Sequence, residues 1–287
     1  MRTQSALHRV NPVWLVVVSI VSVQVGAAFA KDLFATTTPH AMAWLRLCAS
    51  ALILLVIARP RLRGRSRRAW LSVLGYGVVL GVMNWCIYVS FSLIPIGVAV
   101  TIEFLGPLLV AVFGSRRRQD LLWVLLAGLG VALLGFQPAA LDPVGVGLAL
   151  LAGALWAGYI LLAGPTGREW EGVTGVTVAS VVGSLVMTVP ALTLGLPSFS
   201  PRVLWTAVLV GVLSSVIPYG LEMIALRRMR PGTFGILMSL EPAAAALAAL
   251  VVLGEQLTGW ELAAMVAVIV ASVGATRSAS LADAPRD

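Results

Sequence analysis

Apolar residues run through this sequence in stretches of about twenty, the length of helix that crosses a bilayer, and short polar joints separate them. Reading for such runs predicts ten helices, at 12–31, 39–58, 70–92, 95–114, 119–137, 143–164, 172–195, 202–225, 231–252 and 258–276. Their periodicity is helical or continuous, without the alternation over segments of about ten residues that a membrane barrel needs. Backbone groups facing lipid must bond within their own segment, which leaves α-helices as the spanning structure. Joints as short as the two residues between 92 and 95 leave no room for a soluble domain. The prediction is one compact all-α integral membrane bundle.

The joints carry their charge unevenly. Arg59, Arg61, Arg63, Arg65, Arg67 and Arg68 lie between the second and third runs, and Arg116, Arg117 and Arg118 follow the fourth. Arg168 follows the sixth run, Arg227, Arg228 and Arg230 the eighth, and Arg277 and Arg286 the tenth. With both termini in the cytoplasm all of these fall inside, and only Lys31 and Arg202 fall outside, as loop arginines set topology. Composition agrees: 11% of the residues are charged and 59% hydrophobic, where a soluble domain is nearer a quarter charged. A net charge of +8 would point to nucleic acid in a soluble protein. Here topology accounts for the arginines, with an anionic-lipid or nucleic-acid patch at 59–68 as the alternative. Cys48 and Cys86 lie in apolar runs and read as buried small hydrophobes, not as a disulfide or metal pair.

The chain also matches itself. An offset of 135 positions lays Trp70 on Trp205, Gly97 on Gly232 and Pro107 on Pro242, and sets WLSVLGYGVVLG over WTAVLVGVLSSV without a gap. At a slightly different offset Gln24-Val25-Gly26 falls on Trp156-Ala157-Gly158. These matches predict two five-helix repeats, 1–138 and 139–287. Because five is odd, the repeats are inverted in the membrane. Inverted repeats place a substrate site near the midplane between the halves and make alternating access natural.

One stretch reads two ways. In SVQVGAAFAKDLF, residues 22–34, Ala28-Phe29-Ala30 precedes Lys31-Asp32 after a basic start with Arg2 and Arg9, the pattern of a signal-peptide cleavage site. Removing it would leave the second repeat with a first helix that the first repeat lacks, so the expectation is a retained first helix.

Polar residues at membrane depth are costly and therefore candidates for function. Glu103 and Glu241 fall near the middles of the fourth and ninth runs, close to Pro107 and Pro242. Proline removes a backbone bond and bends a helix, which could aim freed carbonyls at a cavity. Burial disfavours the charged form of a carboxyl, which suits a group that carries protons; the bland alternative is a protonated glutamate bonded to a neighbouring helix. Glu222 lies nearer the cytoplasmic end beside Arg227 and Arg228, and an interfacial ion pair competes with a substrate role there. Arg46 could pair with a glutamate, contact a substrate carboxylate or snorkel outward. Lys31 reads as an anchor at the outer surface, with a gate as the alternative.

Gln24, Asn84, Trp85, Tyr88, Trp156, Tyr159 and Tyr219 form a second tier. A pocket for a small zwitterion needs a few amides or hydroxyls and an aromatic wall, and Asn84 meets Tyr219 under the 135 offset. Trp and Tyr are also ordinary interface residues. Glycine stretches such as AGLGVALLG and the alanine run at 243–250 are faces for close helix packing. Enzyme signals are missing: His8 and His40 read as terminal and loop residues without metal-ligand spacing, and no phosphate loop or Ser/His/Asp pattern occurs. No cofactor is expected, and without a nucleotide site any pumping must draw on a gradient.

The stretches VQVGAAFAKDLF, RLCASALILL, GVAVTIEFLGPLLVAVFGSRR, GALWAGYIL, IPYGLEMIALRRMRPGTFGILMSLEPAAAAL and LGEQLTGWELAA span nearly the whole chain. Together with a proline-centred fourth and ninth helix, they make it resemble the EamA-type drug/metabolite transporters. More narrowly, the chain is similar to the bacterial inner-membrane threonine/homoserine exporters. It departs from the general family at GSRRRQDL, where a glutamate tends to precede the fifth helix. The resemblance implies efflux of small amino acids such as threonine or homoserine, driven by proton-motive force. Glu103, Glu241, Asn84, Tyr219, Gln24, Tyr159, Arg46 and Glu222 are then the candidate substrate or proton residues. The same fold could carry aromatic amino acids, purines, amines or drugs. A membrane enzyme or sensor is the remote alternative. The short loops offer no obvious dimer surface, so a monomer is expected.

Overall fold

The computed structural model describes residues 10–114, 121–133, 141–171, 173–195, 199–226, 228–229 and 231–282. Among these residues the regular structure is helical, with no strand. The helices are α1 (Pro12–Asp32), α2 (Pro39–Ala58), α3 (Arg67–Leu93), α4 (Ile96–Glu103), α5 (Leu105–Gly114), α6 (Leu121–Leu133) and α7 (Pro143–Glu169). They continue with α8 (Thr174–Leu194), α9 (Pro201–Gly211), a π turn at Val212–Val216, α10 (Ile217–Leu226), α11 (Pro231–Met238), α12 (Glu241–Leu253) and α13 (Gly259–Ala282). Nine segments among the described residues are long and apolar enough to cross a membrane, and Leu121–Ala132 is a shorter apolar helix. Arg2, His8, Arg9, Arg116, Arg117, Arg118, Arg227, Arg230, Arg286 and most of the GSRRRQDL stretch lie outside the described residues.

Local chemistry starts these helices where the chain leaves its joints. Asn11, Thr38, Asp142 and Ser200 cap α1, α2, α7 and α9 through side-chain oxygens that accept backbone N–H bonds, and each is followed by proline. A cap satisfies a backbone donor that the helix cannot, and proline at the first helical position loses no bond there. Stops are less regular. The sixth run is predicted to end at 164, yet α7 continues through Pro165 to Glu169. His40, expected in a loop, lies in the first turn of α2.

The halves interdigitate. The most extensive helix pairings all join an element before residue 138 to one after it: α3 with α7 and α8, α2 with α8, α1 with α12 and α10, and α6 with α13. Small residues set the closest approaches. A Cβ at Gly153 on α7 would stand 2.6 Å from the Glu103 carbonyl oxygen, so glycine there lets α7 lie against the end of α4. The outer face carries Leu52, Val56, Ile57, Phe113, Leu122, Leu125, Leu129 and Val251, all well exposed. An apolar surface this continuous needs lipid, not water, around it.

Charges gather at the two ends. Arg65 donates to the Glu169 carbonyl at 2.9 Å and covers the Trp170 ring at 4.7 Å, which ties the arginine run to the end of α7. At the opposite end Lys31 Nζ stands 2.5 Å from Glu255 Oε1, and Arg202 lies 3.5 Å from Asp32. Cys48 and Cys86 are free thiols.

Candidate functional site

A cavity of about 670 Å³ lies between the interdigitated halves, within the roughly 300–1,000 Å³ of small-molecule sites. All eight predicted site residues line it: Gln24, Arg46, Asn84, Glu103, Tyr159, Tyr219, Glu222 and Glu241. The lining runs from Ala27 and Phe91 to Ala111, Phe234 and Thr276, towards the arginine-bearing end. The Lys31–Glu255 pair stands at the other end. Among the described residues no group of His, Cys, Asp or Glu is placed to hold a metal.

The carboxylates reach the cavity through broken helices. The fourth apolar run divides into α4 and α5, with Glu103 the last residue of α4. Pro107 lacks the N–H that would bond the Glu103 carbonyl in an unbroken helix. The ninth run divides likewise between Met238 and Glu241, and Glu241-Pro242 opens α12. A carboxylate in the first turn of a helix lies at the favourable end of its dipole. Glu103 and Glu241 are 8% and 7% exposed, and both line the cavity. Glu222 accepts a 2.5 Å hydrogen bond from Ser19 Oγ on α1, a part-buried contact.

The cation across from them is Arg46 on α2, 9% exposed. Its Nη1 donates to Asn84 Oδ1 at 2.5 Å and to the Tyr88 hydroxyl at 3.5 Å, and Nη2 donates to the Ser214 carbonyl at 3.4 Å. Asn84 Nδ2 donates to the Leu80 carbonyl at 2.8 Å, which turns its oxygen towards the arginine. The Ser214 carbonyl is available because Pro218, one turn later, has no N–H to offer it. The π turn at Val212–Val216 is the local result, and α1 shares in it: Ser22 Oγ donates to the Leu213 carbonyl at 2.6 Å. Sequence reasoning passed over Ser214. Its signal was Pro218 four residues on, inside an otherwise continuous apolar run.

Aromatic rings complete the wall. Tyr159 stacks on Tyr76 with centroids 4.5 Å apart, and Trp156 meets Phe104 edge-on at 5.6 Å. Trp85 is not part of the lining; its indole donates to His40 Nδ1 at 2.9 Å. Lys31 also donates to the Ile94 carbonyl at 3.2 Å, and Glu255 Oε2 accepts the Ile96 N–H at 3.0 Å.

The EamA-like transporter family model matches the chain twice, over residues 10–136 and 143–277. The chain belongs to the EamA-like transporter family. Among relatives, it is 41% identical over 273 residues to the threonine/homoserine exporter RhtA of Salmonella typhimurium, covering 92% of each chain. It is 42% identical over 276 residues to the RhtA exporter of Escherichia coli K12, covering 93% of each. A solved crystal structure shares the EamA-like chain's fold with a TM-score of 0.63 at 18% identity, over 94% of this chain and 99% of that one. The family is one of transporters, and this multi-pass membrane chain is a member over nearly its whole length.

Proposed function

We propose that this EamA-like transporter exports small amino acids, threonine and homoserine foremost, across a bacterial inner membrane by alternating access driven by the proton-motive force. The observation that carries the reading is the cavity itself, in which one buried guanidinium and three carboxylates surround a space of small-molecule size. A zwitterion offers one charge of each sign to such a lining. The identity of 41–42% to the threonine/homoserine exporters narrows the cargo. In this reading ten spans form two inverted five-helix repeats, 1–138 and 139–287, with both termini in the cytoplasm and the arginine-bearing end inside. Glu103 and Glu241 meet the cargo ammonium or exchange protons, and Gln24, Asn84, Tyr159, Tyr219 and Glu222 shape the pocket. The protein acts as a monomer in lipid, without nucleic acid or cofactor.

The test is export of labelled threonine and homoserine from loaded cells with and without the gene. Faster loss of label in cells that express the protein is expected. Equal loss, with the protein inserted in the membrane, overturns the reading.

A further inference from the structure

We propose that Arg46, seated on Asn84, Tyr88 and Ser214, is the receptor for the cargo carboxylate, so that a free carboxylate is a condition of transport. The proposal rests on the exporter reading and adds to it which end of the cargo is read, and by what.

The geometry starts from the five N–H groups of a guanidinium. Nη1 donates to both Asn84 Oδ1 and the Tyr88 hydroxyl, and Nη2 donates to the Ser214 carbonyl. Arg46 Nε is buried and has no hydrogen-bond partner. The unpartnered Nε–H shares one edge of the guanidinium plane with Nη2, which carries two hydrogens and has one acceptor. That edge is the fork that a carboxylate meets with two parallel hydrogen bonds. Among the described residues no carboxylate lies within ion-pair distance of Arg46, whose side chain lines the cavity.

A second unpartnered donor lines the cavity. Ser214 Oγ is buried and also without a hydrogen-bond partner, and Ser214 lines the same cavity. The residue whose carbonyl holds Arg46 thus also carries an unpartnered hydroxyl. A buried arginine left uncompensated is costly. Here three neutral acceptors hold the group in place without neutralising it, which keeps its charge for the cargo. The carboxylates of Glu103 and Glu241 carry the opposite charge on the same cavity, so a zwitterion is oriented by its two ends and its side chain is read elsewhere.

The experiment is binding to the purified full chain, read by calorimetry and, where threonine binds, by displacement of labelled threonine, for threonine, homoserine, their methyl esters, and a wider panel of amino acids with their methyl esters. Esterification removes the negative charge and keeps the ammonium and side chain. Loss of a charge-assisted pair should weaken the esters by roughly 10- to 100-fold, and Arg46→Gln should bring threonine down to the level of its ester while leaving the ester unchanged. Arg46→Lys keeps the charge but not the fork and should recover only part of the loss. Esters that compete as well as the free amino acids on the unaltered protein overturn the receptor and leave the exporter reading standing. Carboxylate-dependent binding of other amino acids without threonine or homoserine supports the receptor and removes the proposed cargo. If nothing in the panel binds, both fall.

Discussion

At the residue scale the cavity is defined by what its charged groups lack. Glu103 and Glu241 stand at breaks in their helices, Glu103 one turn before Pro107 and Glu241 directly before Pro242, and neither belongs to an ion pair among the described residues. A structural glutamate would be satisfied within the protein, whereas one that meets cargo or protons must face the space that they enter. Glu103→Gln keeps the volume and the hydrogen-bonding atoms and removes the charge. Its expected effect is loss of one charge-assisted contact, about 1.5–3 kcal/mol or roughly 10- to 100-fold in cargo affinity, with insertion and yield unchanged. Uptake of labelled threonine into inverted vesicles checks this; a variant that transports as well as the parent removes Glu103 from the site. Glu103 and Glu241 were legible in the sequence because charge inside an apolar run is rare. Ser214 was not, since a serine in such a run is ordinary and its role depends on a carbonyl released by Pro218 and an arginine supplied by another helix.

At the element scale, the helices meet the predicted runs closely where capping chemistry and apolar length agree, as in α2 over Pro39–Ala58. They diverge where a break needs tertiary partners. At the division between α4 and α5, which Pro107 prepares, α7 comes close enough at Gly153 to lie against the Glu103 carbonyl, a contact that no local pattern encodes. The Lys31–Glu255 contact is another such case. Gly254 takes a left-handed conformation, φ +71°, which ends α12 and turns Glu255 towards Lys31. From there one ion pair joins the end of α1, the α3–α4 joint and the end of α12. Lys31→Gln should weaken closure at this end by about 1.5–3 kcal/mol, the worth of hydrogen bonds to a charged group. Reaction of a cysteine placed at Ala27 with a membrane-impermeant maleimide should then rise roughly tenfold or more. Reversing both charges, with Lys31→Glu and Glu255→Lys, should bring the rate back down. An unchanged rate in the single variant shows that the pair does not hold this end closed.

At the scale of the whole molecule, a cavity that reaches towards one end and an ion pair at the other are what the proposed alternating access asks of one of its two states. Moving cargo uphill needs a second gradient coupled to the cycle, because a carrier without one only equilibrates its cargo, whatever its affinity on either side. Three carboxylates on one cavity offer that coupling if a proton taken up on the outside is released on the inside during each cycle. The expectation is therefore directional. In proteoliposomes with the arginine-bearing end facing outward, threonine should accumulate inside only when the lumen is more acidic than the bath. Adding a protonophore should return it to the bath concentration. Each tenfold difference in proton concentration supplies about 1.4 kcal/mol per proton, so a one-unit gradient with one proton per cargo supports at most about a tenfold accumulation. Accumulation that persists after the pH gradient and the membrane potential are both collapsed rules out proton coupling. A plateau well above tenfold at one unit, with no membrane potential, requires more than one proton per cycle and so assigns the exchange to more than one carboxyl.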